Sequence, residues 1–207
     1  MTETNAYNLP LKLETGWICL DFANTAEWHA SDHPDEHIGT YRKLVSWARD
    51  VGVLENQEAE KILQESRQRP VRTKRVHRQA ISLRETIYQI FSAVAEDRQP
   101  ESSNLAALNA SLSEALVHLR LLQSEKGFDW GWSGDENALD RILWPIARSA
   151  ASLLTSDAIE RVGECADDRG CGWLFFDMSR NRSRRWCDMK DCGNRNKVRR
   201  YYARKRK

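Results

Sequence analysis

The chain has 207 residues, 41% of them hydrophobic and eight of them Trp, and no apolar run approaches the roughly 18 residues of a membrane span, which argues against a membrane protein. Its formal charge of +2 conceals a division: residues 180–207 hold 13 Lys and Arg against two Asp, a net +11, whereas residues 1–179 hold 19 basic against 28 acidic residues, a net −9. A strongly basic end on an acidic body is the footprint of a nucleic-acid-binding module joined to a unit with another task, the alternative being a solvated charged tail.

The opening residues, MTETNAYNLP, have neither the basic start nor the apolar stretch of a signal peptide, so the chain is expected in the reducing cytoplasm, where cysteines serve as thiols or metal ligands. The apolar run at 17–22 is too short to assign by periodicity. A helix is predicted from Thr40, with Tyr41, Leu44, Val45 and Ala48 on one face and Gly52 as its stop; Ala59, Ile62 and Leu63 mark a shorter second one. Over 71–96, Val76, Ala80, Leu83, Ile87, Ile90, Phe91 and Val94 recur every three or four residues, an amphipathic helical pattern. Pro100 and the cap candidates Ser102 and Ser103 precede a helix carrying Leu105, Leu108, Leu112, Leu116 and Leu119. The period then changes: Phe128, Trp130 and Trp132 alternate and Gly127 sits where a turn falls, which predicts a β-hairpin. Helical spacing returns over 137–155 through Leu139, Ile142, Leu143, Ile146, Ala150 and Leu153, with Pro145 expected to bend or break it. Residues 1–160 are therefore expected to form a mainly α body with a small β-hairpin, an α+β unit.

Four of the five cysteines, Cys165, Cys171, Cys187 and Cys192, follow as C-x5-C, a gap of 15 residues, and C-x4-C. Two short-range pairs can give four thiolates to one tetrahedral Zn2+, each loop closing at modest entropic cost; isolated buried thiols and a disulfide are the alternatives. Between the pairs, Trp173, Phe175 and Asp177 alternate before the polar turn SRNRS, so a strand, a turn and a returning strand would set Trp186 beside Trp173. So small a hairpin has too little core to be stable without the metal. Cys19, in the first apolar run, reads as a core thiol.

After Cys192 the chain runs GNRNKVRRYYARKRK, with Arg195, Lys197 and Arg199 at helical spacing and no helix breaker after Gly193. The second cysteine pair would start and orient a basic helix that would otherwise repel itself and fray, making its cations an ordered surface for phosphates or base edges. The candidate nucleic-acid contacts are Arg184, Arg185, Arg195, Lys197, Arg199, Arg200 and Arg204. Arg195, nearest the fixed start of the helix, is the candidate base reader, while Arg204 to Lys207 supply only screened attraction. Tyr201 and Tyr202 are expected to pack back on the small domain, stacking on bases being the alternative.

RRWCDMKDCGNR followed by KVRRYYAR resembles the CGNR zinc finger, named for the tetrapeptide at 192–195. The likeness extends upstream through RVGECADDRGCGWLFFDMSRNRSRRWC and into the body, where LDFANT, LRETIYQIF and LNASLSEAL are similar to the ABATE-type domain that precedes this finger. Essentially the whole chain is covered. The resemblance implies a bacterial, stress-related transcription regulator with the four cysteines as zinc ligands and DNA as the partner. Residues 161–207 are expected to be a treble-clef-like finger, a hairpin plus a helix.

Asp21 and Asn24, near Trp17 and Trp28, place polar groups in an aromatic-rich stretch. They form a cap or core polar network, or a pocket through which the body senses a small-molecule effector. His29, His33 and His37 stand among Asp32, Asp35 and Glu36, but Pro34 breaks the helix that would align them, so a polar surface loop is expected rather than a second metal site. Residues 67–78 hold six Arg and Lys and no acid, and read as a solvated helix start or an extension of a phosphate-binding surface. No nucleophile–base arrangement can be read from residue order, so no enzyme is expected. Two readings remain: a regulator whose finger binds duplex DNA while the body forms a homodimer or senses an effector, and an RNA-binding or protein-docking factor using the same finger.

Overall fold

The helices of the body bury their apolar stripes in one shared core. The structure is a computed structural model that describes residues 12–124, 127–135 and 137–205, so residues 1–11, 125–126, 136 and 206–207 lie outside the described residues. The apolar run that periodicity leaves unassigned is α1 (Ile18–Ala23), in which only Asp21 is not buried. α2 (Tyr41–Asp50) starts at Thr40, whose hydroxyl accepts from the Lys43 amide at 3.2 Å, and it ends before Gly52 at φ +88°. α3 (Asn56–Gln68) opens with a reciprocal capping box between Glu55 and Glu58. α4 (Pro70–Ala95) has Pro70 in its first turn, where the missing N–H has no intrahelical partner to lose. It is the spine of the body: α1, α2, α3, α5 (Ser102–Leu116) and α6 (Leu143–Leu154) all pack on it.

Three expectations are corrected. α5 ends at Leu116, and Leu119 instead begins β3 (Leu119–Ser124), which pairs antiparallel with β4 (Gly127–Trp132) in the register Leu119↔Trp132, Leu121↔Trp130, Gln123↔Phe128. Leu119 satisfies both periods, and the strand wins because its partner Trp132 packs on Trp144 of α6, ring centroids 6.0 Å apart. The N-cap of α5 is Glu101, not Ser102 or Ser103. Pro145 neither bends nor breaks α6, since it sits in the first turn, where amides have no intrahelical acceptor; Leu139 and Ile142 are buried in the turns that lead into it.

The finger begins with β5 (Val162–Glu164), paired antiparallel with β6 (Leu174–Phe176). The expected hairpin paired β6 forward with a strand returning to Trp186; the observed one pairs it backward, so that the segment bearing Cys165 and Cys171 is the loop of the hairpin. Residues 177–186 cannot form the return strand because the buried Asp177 carboxylate gathers them into a loop, accepting from the amides of Ser179 at 2.7 Å and Arg184 at 2.9 Å. A single-turn π-helix, Met189–Gly193, leads into α7 (Asn194–Lys205). The finger is thus a hairpin plus a helix, and it is not detached: Val162 and Leu174 belong to the core of the body.

Candidate metal centre and basic helix

Cys165 and Cys171 flank the loop of the β5–β6 hairpin, and Cys187 and Cys192 flank the turn that starts α7. The Cys165 amide donates to the Trp173 carbonyl at 3.0 Å and the Ala166 amide to the Arg185 carbonyl at 2.9 Å, which draws the two halves of the site together. All four Sγ atoms lie within 4.8 Å of one another, with Cys171–Cys187 at 3.7 Å and Cys187–Cys192 at 3.6 Å. A tetrahedron of thiolates about 2.3 Å from Zn2+ has edges of about 3.8 Å, and a disulfide would need about 2.05 Å, so these separations fit zinc and exclude a bridge.

The electrostatics agree. Hydrogen bonds from Cys171 and Cys187 hold the Cys165 thiol down at about 2, the same contacts push Cys171 up to about 12 and Cys187 well above the ordinary thiol range, and burial raises Cys192. A bound dication makes four neighbouring thiolates tolerable. The cluster binds Zn2+, which would hold the two halves of the finger together. Further cations surround it. Arg195 Nη2 lies 3.3 Å from Cys192 Sγ and 2.5 Å from Asp191 Oδ2, and the Arg169 guanidinium is held by Asp167 at 2.6 and 2.9 Å.

The seven basic candidates divide. Arg184 donates to the Trp186 carbonyl at 2.9 Å and to the Cys187 carbonyl, and lies 4.6 Å from the Phe175 ring. Arg185 stacks on Trp186 at 5.4 Å. Arg195 braces the cysteines, and Arg199 forms a two-pronged ion pair with Asp168 of the finger loop. Lys197, Arg200 and Arg204 are exposed and, among the described residues, make no ion pair or side-chain hydrogen bond. Successive residues of an α-helix turn by about 100°, so these three fall within about 60° of one another, on the side of α7 opposite Arg195. Arg206 and Lys207 lie outside the described residues. Tyr201 and Tyr202 do not pack back on the finger: both are exposed, edge to face at 5.5 Å, with Lys205 over Tyr201.

The body residues considered for an effector pocket are engaged in fastening. The Asn24 amide donates to the Leu174 carbonyl at 2.8 Å and its oxygen accepts from the Leu174 N–H at 2.9 Å, standing in for a neighbouring strand to β6. Asp21 closes the loop before α1 by accepting from the amides of Glu14 and Thr15 and the Thr15 hydroxyl; burial raises its pKa despite these bonds. Trp17 packs on Phe176 of β6 at 6.1 Å. Trp28, at φ 55°, has the guanidiniums of both Arg169 and Arg195 5.2 Å from its ring.

Residues 28–31 wedge against the cysteine loop so closely that a Cβ on Gly172 would stand 2.6 Å from Tyr88 Oη and 2.8 Å from Ala30 N. Beside them the side chain of His29, expected at the surface, is turned inward: its Nε2 is 2.8 Å from Glu85 Oε2 and its ring stacks on Tyr88 at 3.6 Å. His33 is exposed, and His37 lies 3.5 Å from Glu27, so the three histidines do not converge. Sequence reasoning missed Arg169 and the docking role of His29; a basic residue between two cysteines and a histidine in a polar loop carry no periodic signal.

The geometry defines a four-cysteine zinc finger of hairpin-and-helix type built onto a helical body. Comparison with family models agrees with both parts: the ABATE model, described as "Putative stress-induced transcription regulator", matches residues 16–157, and the CGNR zinc finger model matches residues 161–205. The chain belongs to the ABATE family of regulators and carries a CGNR zinc finger. A search of curated proteins found no match. Among the described residues no helix is long and apolar enough to cross a membrane.

Proposed function

We propose that this regulator binds duplex DNA through the outward stripe of α7 and that its helical body pairs two copies. The observation that supports the reading is the division of labour on α7. Arg195 and Arg199 fix the helix to the zinc site and finger loop, while Lys197, Arg200 and Arg204 stand exposed on the opposite side and, among the described residues, unpaired. Cations on a braced helix are aimed, and neutralising phosphates with them releases counterions. In this reading Arg195 is a brace, and base reading, if any, belongs to the outward side.

The test is binding to a fluorescent duplex across a salt series, with unlabelled RNA of equal length as competitor. Lys197→Ala, Arg200→Ala and Arg204→Ala should each weaken binding on any sequence and lower the salt slope by about one unit. A triple variant that binds as tightly as the parent chain would reject the reading, and displacement by RNA at equal concentration would move it to RNA.

A further inference from the structure

Among the described residues, the β3–β4 hairpin leaves most of an apolar face uncovered. Its register places Leu119, Leu121, Gln123, Phe128, Trp130 and Trp132 on one side, with Gln123 the only polar member. The root of this face is covered, since Trp132 packs on Trp144, but outward from it Leu121 is 60%, Trp130 54% and Phe128 71% exposed. Leu122 on the opposite side and Val117 at the end of α5 are exposed too. Leu121, Phe128 and Trp130, the three on one side, present roughly 450 Å2 of apolar surface, in the range of the largest patch a monomer leaves, which is often functional, and a little over half of the roughly 800 Å2 that each partner contributes to a standard interface.

We infer that this face is where two copies of the chain meet, Leu121, Phe128 and Trp130 of one packing on the same residues of the other about a two-fold axis. The inference rests on the proposal that the body pairs two copies, and it names the surface. A second copy fits for three reasons. The patch supplies a little over half of one partner's share of a standard interface from three side chains, and a two-fold contact requires only that one patch complement itself. A two-stranded hairpin is marginal in water until its apolar face is covered, and a second hairpin supplies matching cover. An anionic membrane is disfavoured, because such a surface selects aromatic residues ringed by Lys and Arg. Here the described residues of the hairpin offer Asp129, Gln123 and Ser124 beside Arg120, and the one cation over an aromatic ring of this face is Arg148 of α6, 5.5 Å from Trp130, on a body of net charge −9. Pairing would join two zinc fingers in one particle, the arrangement that reads two half-sites on DNA.

Sedimentation velocity on the full zinc-loaded chain tests this, with Phe128→Asp combined with Trp130→Asp as the interface variant and Val71→Asp, an exposed site on α4, as control. The parent chain and the control should be dimers at concentrations on the order of 100 µM, and the interface variant should dimerise on the order of 100-fold more weakly with zinc content and far-UV circular dichroism unchanged. A parent dimer unaffected by the interface variant overturns the assignment of the surface and leaves pairing standing; a monomeric parent overturns both. Hydrogen exchange on the parent chain needs no variant: protection over 119–132 should rise with concentration, and flat protection there in a dimer rejects the inference.

Discussion

Asn24 shows how one side chain can join two units. Both arms of its amide bond the backbone of Leu174 in a buried position, so its replacement leaves an amide N–H and a carbonyl without partners. Asn24→Ala should cost roughly 2 to 4 kcal/mol in chemical denaturation, more than removal of a solvent-exposed amide would. Arg84 gives a second prediction, in pH. Its guanidinium is buried and reaches Glu36 at 2.7 Å through two nitrogens and Glu85 at 2.9 to 3.0 Å. Burial opposes ionisation of both carboxyls, but hydrogen bonds from Arg84 to Glu36, and from His29 and then Arg84 to Glu85, hold them below the usual carboxylate range. A depressed carboxyl stabilises fully above its unfolded value, near 4.3, and that contribution disappears as pH falls through the lower folded value. Urea unfolding should therefore weaken progressively below about pH 4, and Arg84→Gln should flatten that dependence.

Among the elements, α6 and the cysteine loop make opposite predictions from equally conspicuous residues. Pro145 looks disruptive in the sequence but occupies a first-turn position that has no hydrogen bond to lose, so Pro145→Ala should shift the melting temperature only slightly. Gly172 looks unremarkable but sits at φ +63° under Tyr88 and Ala30, and a methyl group there would collide with the Ala30 backbone. Gly172→Ala should separate the cysteine loop from residues 28–31 and lower zinc retention against a chelator, a competition read directly by a metallochromic dye. The same scale explains the short CGNR signature. Cys192 supplies a ligand, a Cβ on Gly193 would stand 3.0 Å from the Met189 sulfur, and Arg195 returns to the Cys192 sulfur at 3.3 Å.

At the scale of the whole molecule, the zinc finger and the helical body share one core, through Val162 and Leu174, and a wedge made of residues 28–31. Zinc should therefore stabilise the body as well as the finger. Chelation, or Cys192→Ser, is expected to lower the melting temperature of a single calorimetric transition; two transitions, one unmoved by the metal, would mean that the units fold independently. Circular dichroism should retain most of its helical signal in that variant, because α2 to α6 bury their stripes without the metal.

Much of this was legible in the residues themselves. The helical stripe from Val76 to Phe91, the alternation of Phe128 and Trp130, and four cysteines running into a basic block are local patterns, because periodicity and short-range ligand spacing are properties of neighbouring positions. What β6 pairs with, which of seven cations brace the zinc site and which three face outward, and that Asn24 fastens a strand 150 residues away depend on contacts between distant segments. Those were decided only by the tertiary structure, since a charge or an amide has no direction until packing gives it one.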